Sequence, residues 1–223
     1  MPSFEKKSVV VTGAAGALGG GLCQAFLAAG ATVTGLDRVR PAPERAVAGV
    51  QYVAVDLADD AAVGSALEEA PPPWAVVHTV GGFAPAAPLA ELDVEELDHQ
   101  LTLNLRTSAL VVKHSLRLLQ PQGRGRIVLT ASKAAFQKTK VAFSYSVSKL
   151  GVVHLVEMAG AEVAGTGVTV NAVSPSIIDT PANRAAMPSS DHDAWPTVAE
   201  LAHAYLFLAS EEAARVNATI TSV

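Results

Sequence analysis

Cysteine is almost missing from this chain: Cys23 stands alone in 223 residues. An intrachain disulfide and a thiolate metal cluster are thereby excluded, and a reducing compartment, the cytoplasm, is expected. Charge is scarce as well, at 17% of residues, with a formal net charge of -5. No basic run is interleaved with aromatics, so nucleic acid and anionic membrane are not expected partners. Between Lys7 and Asp37 there is no charged side chain at all, and the run superficially imitates a signal peptide or membrane span. Seven glycines fall inside it. Each weakens a helix by about 1 kcal/mol relative to alanine, so a buried strand, a turn, a packed helix and a second buried strand explain the run better.

What is present in quantity is apolar: half of the residues. Short β-branched runs alternate with apolar-periodic stretches of helical length from end to end, which predicts an α/β fold, a single Rossmann-type domain over 1–223 with a doubly wound parallel sheet of about seven strands. Strands are predicted at 8–12, 31–36, 51–55, 74–80, 126–131, 169–173 and from 218 onward, their continuous hydrophobicity suiting strands covered on both faces. Leu97, Leu101, Leu105, Ala109, Val112, Leu116 and Leu119 recur at helical spacing and predict one long amphipathic helix. The stretch 146–164 is apolar nearly all round, as in a helix deep in a core or packed against another subunit. Pro41, Pro43 and the lack of periodicity make 38–49 a loop.

In "VTGAAGALGG", Gly13, Gly16 and Gly19 follow a buried strand and open a helix, with Ala17 and Leu18 between them; Asp37 ends the next strand. Such a turn brings backbone close to a pyrophosphate and presents helix N-terminal amides to its charge, while the acid holds the adenosine ribose hydroxyls. An aspartate there repels a 2′-phosphate and favours NAD(H); Arg38 beside it keeps NADP(H) as the alternative. Asp56, followed by Leu57, either accepts from the adenine amino group or caps the next helix.

Tyr145 and Lys149 lie one helical turn apart on one face. A phenol titrates near pH ~10 in isolation, and a neighbouring ammonium is expected to bring it down towards neutrality. Ser132 closes a strand before them. Asn104 sits in the long helix, where asparagine is a poor interior residue and, if buried, must be hydrogen-bonded. His78 reads as a histidine with satisfied hydrogen bonds. The remaining histidines show no pairing, so no metal site is expected.

Taken in order, the glycine turn, Asp37, Asp56, Asn104, Ser132, Tyr145, Lys149 and "SPSIIDTP" resemble the short-chain dehydrogenase/reductase family over essentially the whole chain. The resemblance implies Tyr145 as acid-base residue, Lys149 on the nicotinamide ribose, Ser132 on the substrate carbonyl, Asn104 on a water relay, and Ile178 backbone with Thr180 on the carboxamide. It also implies a homodimer or homotetramer acting on a small carbonyl or alcohol. Ala17 where that family commonly has glycine, and "HTVGG" with Gly81, Gly82 and Phe83, are similar to the dihydropteridine reductase branch, as are Thr-Pro, Asn-Arg, Met-Pro and Trp195 further on. Members of that branch lack the serine and helix asparagine present here, so fold and cofactor carry over and the pteridine substrate does not. A dinucleotide sensor without turnover is the alternative from another class, and it has no need of Tyr145 and Lys149 together.

Overall fold

The computed structural model describes residues 2–85, 87–138 and 142–223. Strands β1 (Ser8–Thr12), β2 (Thr32–Asp37), β3 (Val50–Ala54), β4 (Ala75–His78), β5 (Gly125–Thr130), β6 (Val168–Ser174) and β7 (Ile220–Ser222) form one parallel sheet. Their order is β3-β2-β1-β4-β5-β6-β7. The chain steps outward from β1 to β3, then crosses back to start β4 on the other side of β1. Connections from β1 and β4 therefore diverge at the carboxyl ends of these two strands, and the divergence opens a crevice there.

Helices cover both faces. On one, α1 (Ala17–Ala28) and α7 (Val198–Ala209) pack Leu22, Phe26, Leu201 and Tyr205 onto Val9 and Val11. On the other, α2 (Asp60–Glu69) meets Val10 and Leu36. There too, α4 (Thr107–Gln122) and α5 (Phe143–Glu162) meet Ile127 and Leu129. Alternate residues of β1 thus serve opposite cores, as the two-residue period of a strand requires. The expectation of strands covered on both faces holds for β1, β4, β5 and β6, but β3 and β7 are sheet edges and stay partly exposed. β4 stops at His78, short of the predicted 74–80, because Gly81 and Gly82 follow where the crevice opens. Cys23 is buried in α1, and burial pushes its thiol up to about 12, which leaves it unreactive at neutral pH.

The predicted long helix is observed as a continuous rod: α3 (Val94–Gln100), a widened π-type turn at Leu101–Arg106, and α4. Widening frees carbonyl groups from the regular ladder. Two are taken up by side chains: Thr107 Oγ1 donates to Leu103 O at 2.7 Å and Ser108 Oγ to Asn104 O at 2.6 Å. The helix predicted at 146–164 begins earlier, at Phe143, and is not deep in the core. One face is buried through Val152, Val153 and Val156, while Val147, Leu150 and Met158 are exposed. No described helix is long and apolar enough to cross a membrane.

Candidate active site

The glycine turn fills the mouth of the crevice. Gly13 has φ +74°, and a methyl group on it would sit 2.6 Å from Thr79 Oγ1; one on Gly19 would collide with the Gly13 carbonyl. Only bare backbone lets the turn, the start of α1 and the residue after β4 come this close. Gly16 caps α1 without any side-chain bond, so the first helix amides face the cleft unobstructed. Gly13, Gly16, Ala17, Leu18 and Gly19 all line a cleft of about 690 Å³. A side-chain-free concavity at a helix N-terminus suits a pyrophosphate, so the residues present fit a dinucleotide.

Asp37 stands beside that turn. Its Oδ2 accepts from Ala15 N at 2.9 Å and its Oδ1 from Arg38 N at 2.7 Å. The carboxylate is thus aimed at the turn, while the Arg38 side chain is exposed. Arg45, which the sequence reading passed over, donates from Nη2 to Ala15 O at 2.6 Å and ties loop 38–49 to the turn. Asp37, Arg38, Asp56 and Leu57 flank the cleft rather than line it. The helix-cap reading of Asp56 is corrected: Asp59 caps α2, accepting from Ala61 N and Ala62 N, whereas Asp56 accepts from Ala58 N at 3.0 Å. The Leu57 side chain lies in the core under α2.

At the other end, the widened turn brings Asn104 to full burial beside Gly82. Asn104 Oδ1 accepts from Gly82 N at 3.0 Å, and Nδ2 reaches Gly82 O at 3.2 Å, Gln100 Oε1 at 2.9 Å and Ser148 Oγ at 3.1 Å. Ser148 in turn donates to Tyr145 O at 2.7 Å. A buried amide holding this many partners meets the requirement that made asparagine tolerable there. Its amide group acts on Gly82 and α5, and its backbone carbonyl already accepts from Ser108.

Ser132 caps the turn after β5, with Oγ accepting from Ala134 N at 3.2 Å, and its side chain also hydrogen-bonds the Tyr145 hydroxyl. The Tyr145 ring rests edge-on against Phe83, centroids 5.2 Å apart at 84°. Lys149 is buried and donates from Nζ to Thr130 O at 2.8 Å. Burial brings the Lys149 ammonium down to about 8. For Tyr145 the sequence expectation is corrected: burial pushes the phenol above its ordinary value, and Ser132, not Lys149, supplies the opposing pull. The Lys149 charge is spent on the Thr130 carbonyl. His78 is wholly buried behind this cluster, with Nδ1 2.7 Å from Thr12 Oγ1. Burial, with Lys149 nearby, pushes it down to about 3, so it stays neutral.

Gly81, Gly82, Ser132, Tyr145, Lys149, Ile178 and Thr180 all line the same cleft as the glycine turn. Gly81 is the tightest point: a methyl there would lie 2.7 Å from Asn104 Oδ1 and 2.9 Å from Lys149 Nζ. Thr180 caps α6 (Pro181–Ala186), accepting from Asn183 N at 3.2 Å, while Asn183 Nδ2 donates to Ile178 O at 2.8 Å. Lys133, Gln137 and Ser176 line the cleft and were not singled out by the sequence; Met187 and Trp195 line it too. Lys133 carried a usable signal, since it follows Ser132 directly.

Three comparisons bear on this geometry. The family model described as short chain dehydrogenase matches residues 7–191. A cis-4-hydroxycyclohexanecarboxylate dehydrogenase of Sinomonas cyclohexanicum is 32% identical, covering 99% of this chain and 96% of that protein. A D-threitol dehydrogenase of Mycolicibacterium smegmatis is 30% identical, covering 96% and 90%. The solved structure of a putative NAD(P)-dependent gluconate 5-dehydrogenase from Beutenbergia cavernae, with NADP bound at low occupancy, superposes with a TM-score of 0.89 at 28% identity, covering 99% of this chain and 96% of that one. The match over most of the chain, together with a glycine-lined cleft ending in Ser132, Tyr145 and Lys149, means that the chain belongs to the short-chain dehydrogenase/reductase family of NAD(P)-dependent oxidoreductases.

Proposed function

We propose that this protein interconverts a small secondary alcohol and its carbonyl compound, with Tyr145 as the acid-base residue and NAD(H) as the favoured dinucleotide. The observation that carries the reading is the Tyr145 hydroxyl, hydrogen-bonded to Ser132 at one end of a cleft whose other end is bare glycine backbone. When bound, the nicotinamide supplies or accepts the hydride. The chain's own residues do the rest. Gly13, Gly16 and Gly19 receive the pyrophosphate, Asp37 the adenosine ribose hydroxyls, Asp56 the adenine amino group, and Ile178 with Thr180 the carboxamide. Ser132 orients the carbonyl oxygen. Tyr145 gives its proton to that oxygen as the carbon is reduced, recovers one from water, and runs the same transfer backwards in oxidation. Lys149 is fixed against Thr130 O, within reach of a ribose at Gly81. Asn104 is a positioning residue, acting through Gly82 and Ser148.

Asp37 supports NAD(H), because a 2′-phosphate would meet a carboxylate held against the turn. The open apolar face of α5, with Val147, Leu150 and Met158, supports a homodimer or homotetramer built on α4 and α5. The 1–223 stretch acts as one oxidoreductase domain, and the lone buried Cys23 suits the cytoplasm. The relatives' names direct the assay: 4-hydroxycyclohexanecarboxylate, D-threitol, the corresponding carbonyl compounds and quinonoid dihydropterin, each with NAD(H) and NADP(H). Turnover of an alcohol-carbonyl pair is expected. Cofactor binding without turnover of any member would favour the sensor, and turnover of the pterin alone would redirect the substrate class.

A further inference from the structure

The charge on the cleft wall is one-sided. Among its described lining residues, Lys133 and Lys149 are the charged side chains, and none is a carboxylate. Lys149 is already committed: it is buried, bonded to Thr130 O, and pressed against Gly81. Lys133 is different. It is only half-buried, it sits one residue beyond Ser132, and its backbone N–H, bonded to Pro175 O at 3.0 Å, pins its main chain between two strand ends. Around it the wall is largely apolar, with Phe83, Ile177, Met187 and Trp195. A single uncommitted cation in a largely apolar pocket free of carboxylates is the arrangement that orients one end of a ligand.

We propose that Lys133 is an anion anchor, so that the substrate carries a carboxylate on a compact apolar body and binds with its reacting carbon at Tyr145 and its carboxylate at Lys133. This rests on the oxidoreductase reading and names the substrate class for that site. The competing demand on Lys133 comes from a neighbouring hollow of about 330 Å³, which also takes in Lys133 together with Asp193, Glu200 and Trp195. Glu200 is engaged in capping α7, accepting from Thr197 N at 2.8 Å and Thr197 Oγ1 at 2.7 Å. Among the described ion pairs, none joins Lys133 to Asp193 or Glu200. The ammonium is thus left to an acid-free cleft on one side and, on the other, to a hollow lined by Val223 and by Asp193, its one side-chain carboxylate without a capping role.

Binding can be read without turnover. Cyclohexanecarboxylate and the neutral, isosteric cyclohexanecarboxamide are titrated calorimetrically into the protein saturated with NAD(H), using the unmodified chain, Lys133→Gln, Lys133→Arg and, as a control on the exposed surface, Lys138→Gln. The unmodified protein is expected to favour the carboxylate by about tenfold, the size of one charge-assisted contact at a half-exposed site. Lys133→Gln should abolish that preference, Lys133→Arg should keep most of it, and Lys138→Gln should leave it intact. Equal binding of the two probes to the unmodified protein, or a preference that survives Lys133→Gln, overturns the anchor. A misfolded glutamine variant is recognised by its melting temperature, and the arginine and unmodified proteins then still decide the question. A preference lost in Lys133→Gln while no alcohol or carbonyl in the panel is turned over would keep the anion site and remove the oxidoreductase reading instead.

Discussion

At the Tyr145 end of the cleft, Asn104, Ser148 and Lys149 are buried, and each is bonded to a partner from another segment: Asn104 to Gly82, Ser148 to Asn104 and Lys149 to Thr130. At the Asp37 end, Arg38, Arg45 and Asp56 are exposed, and the hydrogen bonds of Asp37 and Asp56 run to nearby backbone. Removing one partner from the first group strands a buried donor or acceptor, at a cost of about 1–3 kcal/mol. Removing one from the second hands the freed group to water. The first end is therefore expected to fail abruptly and the second by degrees.

The strongest way to break this contrast is Tyr145→Phe. It removes one hydroxyl and keeps the ring against Phe83, so NADH affinity should survive while turnover falls by about 10²-fold or more. Full activity in that variant with an identified substrate would remove Tyr145 from the chemistry. Lys149→Met should harm turnover and cofactor affinity together, and unchanged NADH affinity would strip the lysine of its ribose role.

A somewhat smaller effect is expected from a methyl group. Gly81→Ala would press on Asn104 Oδ1 and Lys149 Nζ at 2.7 and 2.9 Å, and neither can retreat far, being hydrogen-bonded behind. Overpacking of this kind costs about 1–3 kcal/mol. Turnover should drop by about tenfold or more, since misplacing reacting groups by a fraction of an ångström is felt directly. A thermal melt and kcat measured on the same preparation check this, and normal values for both would show the cluster to be looser than its hydrogen bonds imply.

The raised Tyr145 phenol makes a pH prediction with opposite signs in the two directions. Reduction needs the protonated form, which is present below the phenol's titration and lost above it. Oxidation needs the phenolate, so its rate should climb by about tenfold per pH unit on the alkaline side until the phenol has titrated or another step limits the rate. Profiles are taken at saturating cofactor. An oxidation rate independent of pH from neutral to alkaline would place the proton transfer elsewhere.

The same contrast separates what could be read from the sequence. The buried strands, the glycine turn and the Tyr145–Lys149 pair were legible, because strand hydrophobicity, backbone-only approach and helical spacing are local patterns. Edge strands β3 and β7 misread as covered, since exposure depends on sheet order, which no local pattern carries. The Asp56 cap was misplaced because "DLADDAAV" offers three aspartates, and Asp59 wins by standing directly before the first helical residue. The direction of the Tyr145 shift was missed for a related reason: one helical turn brings Lys149 near, yet its ammonium bonds Thr130 O, a partner from another strand, and burial decides. Arg45 escaped because its importance lies in what folds beside it, whereas Lys133 stands next to Ser132 and could have been found.

The smallest expected effect belongs to the exposed end. Asp37 holds the Ala15 amide beside the glycine turn; on the proposed reading a 2′-phosphate would meet its charge, so NADH should bind several-fold more tightly than NADPH. Asp37→Ser removes the charge but keeps a short hydroxyl for the turn. The Arg38 side chain is exposed beside it, and Arg45 is already held on the adjacent carbonyl. Either guanidinium can pair with a phosphate, which narrows or inverts the preference. Because these side chains are exposed and screened, the shift should be roughly threefold to tenfold, not the hundredfold loss expected at Tyr145. Fluorescence titration of both dinucleotides against both proteins measures it. Equal affinities in the unmodified protein would remove Asp37 from cofactor choice, and a hundredfold collapse in NADH binding in the variant would show that this end of the cleft is as tightly wired as the other.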